Sequence, residues 1–232
     1  MDITELKKDE QRKNDFIGMV SHELKTPLTS LYAYIQMLKA KAQKGEDSFT
    51  EGALNQSVKQ IKKMTIMING FLDVSRLESG KIDIKKQQFD LAGLIKEVEE
   101  ETLQIFSGHR IIFHPVKRTI INADRDKIGQ VIHNLISNAV KYSKAGSNIE
   151  ITCTTENDSS HVSVSDEGIG IGQKDLENIF ERYHRVENDN KISGFGIGLY
   201  LCSEIIRRHN GEIWAESQID KGSTFHFTLP VS

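Results

Sequence analysis

The chain of 232 residues lacks the features that place a protein in a membrane or outside the cell. It contains no apolar run of about eighteen residues, so no transmembrane helix is predicted. Residues 1–14 are polar and charged, unlike a secretory signal. The two cysteines, Cys153 and Cys202, stand far apart and outside any metal-ligand spacing. We expect both to be buried free thiols of a protein in a reducing, cytoplasmic compartment.

The charge balance excludes further classes of partner. The 30 Lys and Arg residues against 33 Asp and Glu residues leave a net charge of −3, which gives no electrostatic basis for binding nucleic acid or an anionic membrane. Hydrophobic residues make up 38% of the chain and charged residues 27%, which is typical of a soluble globular protein with a long exposed helical part.

The first third of the chain is predicted to be a helical hairpin. Apolar residues spaced by threes and fours predict one helix over 3–43 and a second over 50–77, the second with a heptad-type seam. The polar turn 44–48 is short, so the two helices should be antiparallel. One hairpin cannot bury both apolar stripes, and two copies would form a four-helix bundle. The sequence therefore predicts a homodimer.

His22 lies on the polar face of the first predicted helix. At about 100° per residue it falls roughly 165° from the mean direction of the apolar stripe. Glu23 follows it, and Thr26 lies one turn further along the same face. A solvent-facing imidazole beside a carboxylate can act as a nucleophile with its base. The alternative is an ordinary surface histidine, but Pro27, which disfavours a straight helix, sets this segment apart.

Beyond residue 80 the pattern changes to a linker over 81–88 and then to mixed strands and helices. Strands are predicted at 109–114, 119–122, 148–155, 161–166, 211–217 and 223–229. Helices are predicted at 91–105, 126–143, 173–180 and 196–209. Their alternation predicts an α/β sandwich with one sheet covered by helices.

Four segments of this second part carry polar or glycine-rich patterns. A polar face on helix 126–143 could hold a ligand or simply be solvated, and Asp166 at a strand end could accept from an exocyclic amine or belong to an ordinary turn. Glycines before helix 196–209 expose N–H groups that suit phosphate. The segment 222–225 begins the last strand, and its hydroxyls, on Ser223 and Thr224, could reach a base edge. None of the segments matches the Walker or dinucleotide-binding pattern. The candidate residues are Asn134, Asn138, Lys141, Tyr142, Asp166, Gly168, Gly170, Gly194, Gly196, Gly198 and Thr224.

The order and spacing of these motifs resemble a sensor histidine kinase of two-component signalling, and the resemblance covers nearly the whole chain. It implies a dimerisation and histidine-phosphotransfer hairpin over 1–80, the linker, and a catalytic ATP-binding domain of the gyrase–MutL–kinase type over 89–232. The implied fold class is an antiparallel helical hairpin that forms a dimeric four-helix bundle, followed by an α/β sandwich ATP-binding domain. Five motifs in the right order make the resemblance specific.

The resemblance also implies roles for residues at matching positions. His22 resembles the phospho-accepting histidine, Glu23 the acid that takes its ring proton, and Thr26 the residue that orients water for dephosphorylation. Asn138 resembles the Mg²⁺-binding asparagine, and Asp166 the aspartate that reads adenine. The other matches are Asn134, Lys141 and Tyr142 near the phosphates, Gly168 and Gly170 in the adenine loop, Arg185 at the γ-phosphate, Gly194, Gly196 and Gly198 beside a lid at about 186–193, and Thr224 near the adenine.

The implied activity is ATP- and Mg²⁺-dependent autophosphorylation of His22, followed by transfer to an aspartate of a response-regulator receiver domain. Residues 2–5 resemble the end of a PAS-type sensor domain, so we expect the cytoplasmic core of a longer sensor protein. Phe195 and Asp220 depart from the residues common at their positions, but neither change removes a catalytic group. The alternatives are a catalytically silent scaffold, a phosphatase acting mainly through Thr26, and an ATPase clamp like gyrase or MutL, which would lack the hairpin.

Overall fold

The computed structural model describes residues 23–24, 26–38, 40–41, 49–50, 52–54, 56–57, 61, 64, 84–106, 108–184 and 196–231. The chain divides into two compact units, with the boundary between residues 82 and 83, and each unit is described by itself. Within the described ranges no helix is long and apolar enough to cross a membrane.

The first unit contains two helices. Helix α1 is described at 23–24, 26–38 and 40–41, and α2 at 49–50, 52–54, 56–57, 61 and 64, in agreement with the helical periodicity of the sequence. The ammonium group of Lys41 lies 4.2 Å from the ring centroid of Phe49, so the end of α1 lies beside the start of α2. Pro27 is buried within α1. The turn predicted at 44–48 lies outside the described residues.

Each helix of the first unit also exposes apolar side chains at a spacing of seven residues. On α1 these are Leu28 and Ile35, with exposed fractions of 55% and 51%. On α2 they are Leu54 and Ile61, with 51% and 50%. A spacing of seven places both members of a pair on one helix face. A single chain therefore leaves part of both predicted stripes open to solvent.

The second unit alternates strands and helices. Its elements are β1 (Gln87–Asp90), α3 (Leu91–Ile105), β2 (Arg110–Phe113), β3 (Ile120–Ala123), α4 (Arg125–Tyr142), β4 (Asn148–Glu156), β5 (Ser159–Asp166), α5 (Gln173–Leu176), α6 (Gly198–Arg208), β6 (Ile213–Gln218) and β7 (Gly222–Pro230). Asp90 and Asp124 cap the first turns of α3 and α4 by accepting hydrogen bonds from backbone amides.

Five strands form a mixed sheet in the order β2-β4-β5-β7-β6, in which only the β2–β4 pair is parallel. Helices α4 and α6 pack against this sheet and against each other. The core between them consists of buried apolar side chains that alternate along the strands with exposed or half-buried ones. Its largest fully buried members include Phe227, Ile132, Leu135, Ile205 and Ile206. This is the α/β sandwich that the sequence predicts.

The opposite face of the sheet carries polar and aromatic side chains. Trp214 stacks with His161 at 5.3 Å and with His226 at 5.0 Å between ring centroids. The two histidines share a hydrogen bond of 3.1 Å between Nε2 of His161 and Nδ1 of His226. Burial, followed by the proximity of His161, lowers the pKa of His226.

Three predictions of secondary structure need correction. The helix predicted at 173–180 ends at Leu176. Strand β1 was not predicted, and its first two residues fall in the segment assigned to the linker; it pairs with β3 in a separate two-stranded sheet. Helix α6 begins at Gly198 rather than at residue 196, because Gly196 has φ +63°, which an α-helix does not accommodate. The remaining elements lie where the periodicity places them, with shifts at their ends.

Candidate active site

The carboxylate of Asp166 lies at the end of β5 and is only 7% exposed. Its Oδ1 accepts a hydrogen bond of 2.8 Å from the amide of Gly168. Burial raises the pKa of Asp166, while the backbone amides of Gly168 and Ser223 lower it in part. The buried hydroxyl of Ser143 is close enough to lower this pKa as well, yet it has no hydrogen-bond partner of good geometry. An acidic group and an unsatisfied hydroxyl therefore meet in one buried corner.

Glycines line this corner because side chains would not fit. A Cβ at Gly168 would lie 2.6 Å from the Asp166 carboxylate and 2.7 Å from the carbonyl oxygen of Tyr142. A Cβ at Gly170 would overlap the carbonyl of Gln218, and one at Gly222 would overlap the carbonyl of Asp166. These last two glycines also have φ values of +68° and +96°. The backbone thus approaches closely on several sides of Asp166.

The loop that follows Asp166 is held in place by hydrogen bonds from the backbone amides of Ile169 and Ile171. The amide of Ile169 donates to the carbonyl oxygen of Tyr142 at 3.3 Å, which places the loop at the carboxyl end of α4. The amide of Ile171 donates to the hydroxyl of Ser217 at 2.7 Å, and this hydroxyl in turn lies 2.8 Å from that of Ser223. Sequence reasoning missed Ser217, because its role depends on the register of β6 against β7 and no motif marks it.

The polar face predicted for α4 is half-buried along its length. Nζ of Lys141 lies 3.1 Å from the Tyr142 hydroxyl and 4.7 Å from its ring centroid. One end of this face adjoins the Asp166 corner through Tyr142. At the other end Nδ2 of Asn134 donates to Sγ of Cys202 on α6 at 3.0 Å. Asn138 lies one turn from Asn134, between the two ends.

The amino end of α6 lies against Asn134 of α4. Its N-cap residue, Ile197, has no polar side chain and so does not cap the amides of the first turn. A Cβ at Gly198 would lie 2.7 Å from Oδ1 of Asn134, and one at Gly196 would lie 2.6 Å from the carbonyl of His184. The amino end of an eleven-residue helix is electropositive, which suits phosphate groups.

The structure places the two hydroxyls at the start of β7 on opposite faces of the sheet. Thr224 pairs in register with Ser165, and their hydroxyls lie 3.0 Å apart on the sheet face that carries Trp214. Ser223 is the register partner of Asp166 and is 7% exposed. Because side chains alternate between the faces of a strand, the hydroxyl on the Asp166 side belongs to Ser223 rather than Thr224.

Several candidates lie outside the described residues, namely His22, Arg185, Gly194 and the predicted lid. Of the neighbours of His22, Glu23 is half-buried and Thr26 is exposed on α1. Both cysteines are buried and unpaired, as the sequence predicts. Burial raises the pKa of Cys153 to about 11 and that of Cys202 to about 12, so both are neutral thiols at physiological pH.

Two family models match this chain. The His Kinase A (phospho-acceptor) domain matches residues 12–80, and the histidine kinase-, DNA gyrase B- and HSP90-like ATPase domain matches residues 123–232. The first match removes the ATPase-clamp alternative, which has no such hairpin. The second match begins at the end of β3, so β1, α3 and β2 precede it.

Named relatives agree with these models. The adaptive-response sensory kinase SasA of Synechococcus sp. (strain JA-2-3B'a(2-13)) is 37% identical over 228 residues, which are 94% of this chain and 59% of SasA. The catalytic domain of histidine kinase ThkA is 30% identical with a TM-score of 0.53, covering 63% of this chain and 95% of that domain. Histidine kinase ThkA in complex with response regulator protein TrrA has the same fold, with a TM-score of 0.65 at 22% identity over 100% of this chain and 67% of that one.

The chain thus spans 59% of the length of the curated relative SasA. The order of the two matched domains, a phospho-acceptor hairpin and then a gyrase-B-like ATPase domain, is that of the implied family. The Asp166 corner and the polar face of α4 lie within the second match. The chain therefore belongs to the sensor histidine kinases of two-component systems.

Proposed function

We propose that this chain is a kinase core that transfers the γ-phosphoryl group of ATP to His22 and then to an aspartate of a response-regulator receiver domain. The observation that carries the proposal is the corner around Asp166, where a buried carboxylate stands beside an unsatisfied hydroxyl among glycines that leave no room for side chains. A carboxylate and a hydroxyl side by side can pair with a ligand that carries an amine next to a ring nitrogen.

Adenine fits the polar groups of this corner. Asp166 would accept a hydrogen bond from the exocyclic amine of the base, and the Ser143 hydroxyl would gain the partner that it lacks. Gly168 and Gly170 would let the base lie against the backbone. We assign to Ser223, in place of Thr224, the hydroxyl that borders the base on β7.

The phosphates would extend from this corner along α4 toward the amino end of α6. Asn134, Lys141 and Tyr142 would contact the phosphates. The backbone amides near Gly196 and Gly198 would donate hydrogen bonds to negatively charged phosphate oxygens. We propose Asn138 as the protein ligand of Mg²⁺, an ion that usually takes few protein ligands and keeps several waters. The bound ion would neutralise charge on the triphosphate. Arg185 and Gly194 remain proposals from the motif alone.

At the acceptor, His22 must be neutral so that one ring nitrogen has a lone pair for the phosphorus atom. The N–P bond forms as the bond from the γ-phosphorus to the bridging oxygen breaks, and ADP leaves with that oxygen. Glu23 would hold the N–H of the other ring nitrogen, stabilise the cationic product and take its proton. The phosphohistidine then passes its phosphoryl group to a carboxylate oxygen of the receiver domain.

We also propose that Thr26 orients a water molecule for dephosphorylation of the partner. Thr26 is exposed on α1, where a docked receiver domain could reach it. The response regulator named with ThkA is a partner of that kinase, and it supports a partner of the same class here.

We propose a homodimer through the first unit. The support is the seven-residue spacing of the exposed pairs Leu28/Ile35 and Leu54/Ile61, a pattern that a second copy would cover in a four-helix bundle. Size-exclusion chromatography with light scattering should give twice the chain mass of 26.2 kDa. Leu54→Asp combined with Ile61→Asp should give the monomer mass, whereas a monomeric wild type would contradict the assignment.

The kinase proposal is tested by incubating the chain with γ-labelled ATP and Mg²⁺. We expect an acid-labile, base-stable label on the wild type and none on His22→Gln. His133→Gln is the matched control, because His133 pairs with Glu101 on the outer surface at 2.9 Å and should leave the label unchanged. Equal labelling of His22→Gln, or steady ATP turnover without phosphoprotein, would refute the proposal.

A further inference from the structure

The side chain of Asn134 is held on two sides by α6. Its Nδ2 donates to Sγ of Cys202 at 3.0 Å, and Cys202 is only 2% exposed. On the other side, the Cα of Gly198 packs against the amide plane so closely that a Cβ would lie 2.7 Å from Oδ1 and 2.8 Å from Nδ2. These contacts join the middle of α4 to the first two turns of α6.

We propose that Cys202 is a positioning residue, which fixes the orientation of the Asn134 amide so that its oxygen and remaining N–H face the phosphate side of the site. A planar amide has two orientations that differ by exchange of its oxygen and nitrogen. In the observed orientation Nδ2 donates to the sulfur, which accepts with a lone pair, and Oδ1 is left for the side of the site. The inference rests on the proposed role of Asn134 near the nucleotide phosphates.

The state of the thiol suits this role. Burial raises the pKa of Cys202 to about 12, so the sulfur stays protonated and does not react or carry charge at the pH of catalysis. Its position on α6, the helix that presents Gly198, means that one rigid element sets both contacts to the amide. Loss of the sulfur should therefore loosen the amide without removing it.

The test measures equilibrium affinity for two probes, Mg·AMP-PNP and adenosine, by titration calorimetry. In Cys202→Ala we expect Mg·AMP-PNP to bind about three- to tenfold more weakly, the value of one lost hydrogen bond, and adenosine to bind as in the wild type. Cys202→Ser, whose hydroxyl can accept from Nδ2, should restore Mg·AMP-PNP affinity to within about twofold. In an Asn134→Ala background Cys202→Ala should have no further effect on affinity.

Cys153→Ala is the matched control, because Cys153 is the other buried thiol and lies on β4 opposite Val162. It should lower the melting temperature but change neither affinity. Equal Mg·AMP-PNP affinity for wild type and Cys202→Ala would overturn the inference alone, as would a parallel loss of adenosine binding or a failure of Cys202→Ser to rescue. A wild type that binds neither probe would overturn the proposed function and this inference with it.

Discussion

Two buried aspartates of the second unit have nearly the same exposure and opposite surroundings. Asp124, 8% exposed, uses both carboxylate oxygens within the protein, because Oδ1 accepts from the amide of Lys127 at 3.1 Å and Oδ2 from that of Lys85 at 2.8 Å. Its own amide donates to Nε2 of His209 at 2.8 Å. Asp166, 7% exposed, has glycines around it and an unsatisfied hydroxyl beside it.

The difference fits a structural role for Asp124 and the binding role that we propose for Asp166. Both carboxylate oxygens of Asp124 accept from backbone amides, and the result is a joint between the segment before β1, the start of α4 and the end of α6. Beside Asp166 the protein leaves the buried hydroxyl of Ser143 without a hydrogen-bond partner of good geometry. Burial alone does not distinguish the two residues, whereas the unsatisfied hydroxyl of Ser143 beside Asp166 does.

The largest expected effect is on nucleotide binding by Asp166→Asn. A carboxylate has two acceptor oxygens, but asparagine has one, so the Gly168 amide and the base amine would compete for it. We expect adenosine and Mg·AMP-PNP to bind about 100-fold more weakly by calorimetry. Glu156→Gln, an exposed substitution at the far end of β4, is the control and should bind like the wild type. A loss of less than threefold in Asp166→Asn would contradict the assigned role.

Asp124→Ala should act on stability instead. It removes the N-cap of α4 and the acceptor of the Lys85 amide, so we expect the free energy of unfolding of the second unit to fall by about 2–3 kcal/mol. Asp126→Ala, in the same first helical turn but exposed, should cost well below 1 kcal/mol, roughly the value of a charge near a helix end. Urea titration measures both, and adenosine affinity of the folded Asp124→Ala should be unchanged. If Asp124→Ala lost adenosine affinity without losing stability, Asp124 would not differ in role from Asp166.

A smaller effect is expected from pH at the Asp124 joint. Burial lowers the pKa of His209, whose Nδ1–H donates to the carbonyl of Ile205 while Nε2 accepts from Asp124, so the ring is neutral in the folded state. In the unfolded chain it gains a proton below its ordinary pKa of about 6.5. Stability from this ring is therefore complete above pH 6.5 and declines as pH falls below it.

Denaturant titration of the wild type at pH 7.5 and 5.5 should show a loss of about 1 kcal/mol from His209. His209→Gln will be less stable at both values, but its loss between them should be smaller by that amount. Lys86, which lowers the pKa of His209, and Asp124, which raises it, are retained in both proteins. Equal losses in the two proteins would show that the ring is not held neutral.

The smallest expected effect is from pH at Asp166 itself. Because burial raises its pKa, the carboxyl begins to gain a proton at a higher pH than an exposed aspartate and then loses an acceptor. Adenosine affinity should therefore fall as the pH is lowered from 7.5 to 5.0, and the fall should begin at a higher pH than an exposed aspartate would give. The residual affinity of Asp166→Asn should not change over this range. An adenosine affinity that rises as the pH is lowered would contradict this prediction.

Sequence patterns predicted the Asp166 corner far better than the Asp124 joint. Glycines at fixed offsets mark Asp166, because only a close backbone approach requires them. Asp124 belongs to no motif: its partners are the backbone of residues 85 and 127 and a histidine 85 positions away. Such an assembly follows from the folded chain and cannot be read from local spacing.

The two errors of detail have the same origin. Strand β1 is four residues long and its only apolar residue is Phe89, so neither its length nor its pattern distinguishes it from a linker. The hydroxyl assigned to Thr224 belongs to Ser223, because the face on which a side chain lies depends on register with β5. The periodicity of a helix depends on its own segment and not on pairing with another strand. The predicted ends of α3 and α4 therefore lie within one residue of the observed ones.

The ring stack on the outer face of the sheet gives the protein a natural optical label. Trp214 is the only tryptophan of the chain, so all tryptophan emission originates in the second unit and the hairpin contributes none. An unfolding curve followed by this emission therefore reports one unit without any added dye, while circular dichroism sums over both. The imidazole ring of His226, whose centroid lies 5.0 Å from that of the indole, should also make the intensity of this emission depend on the protonation of His226.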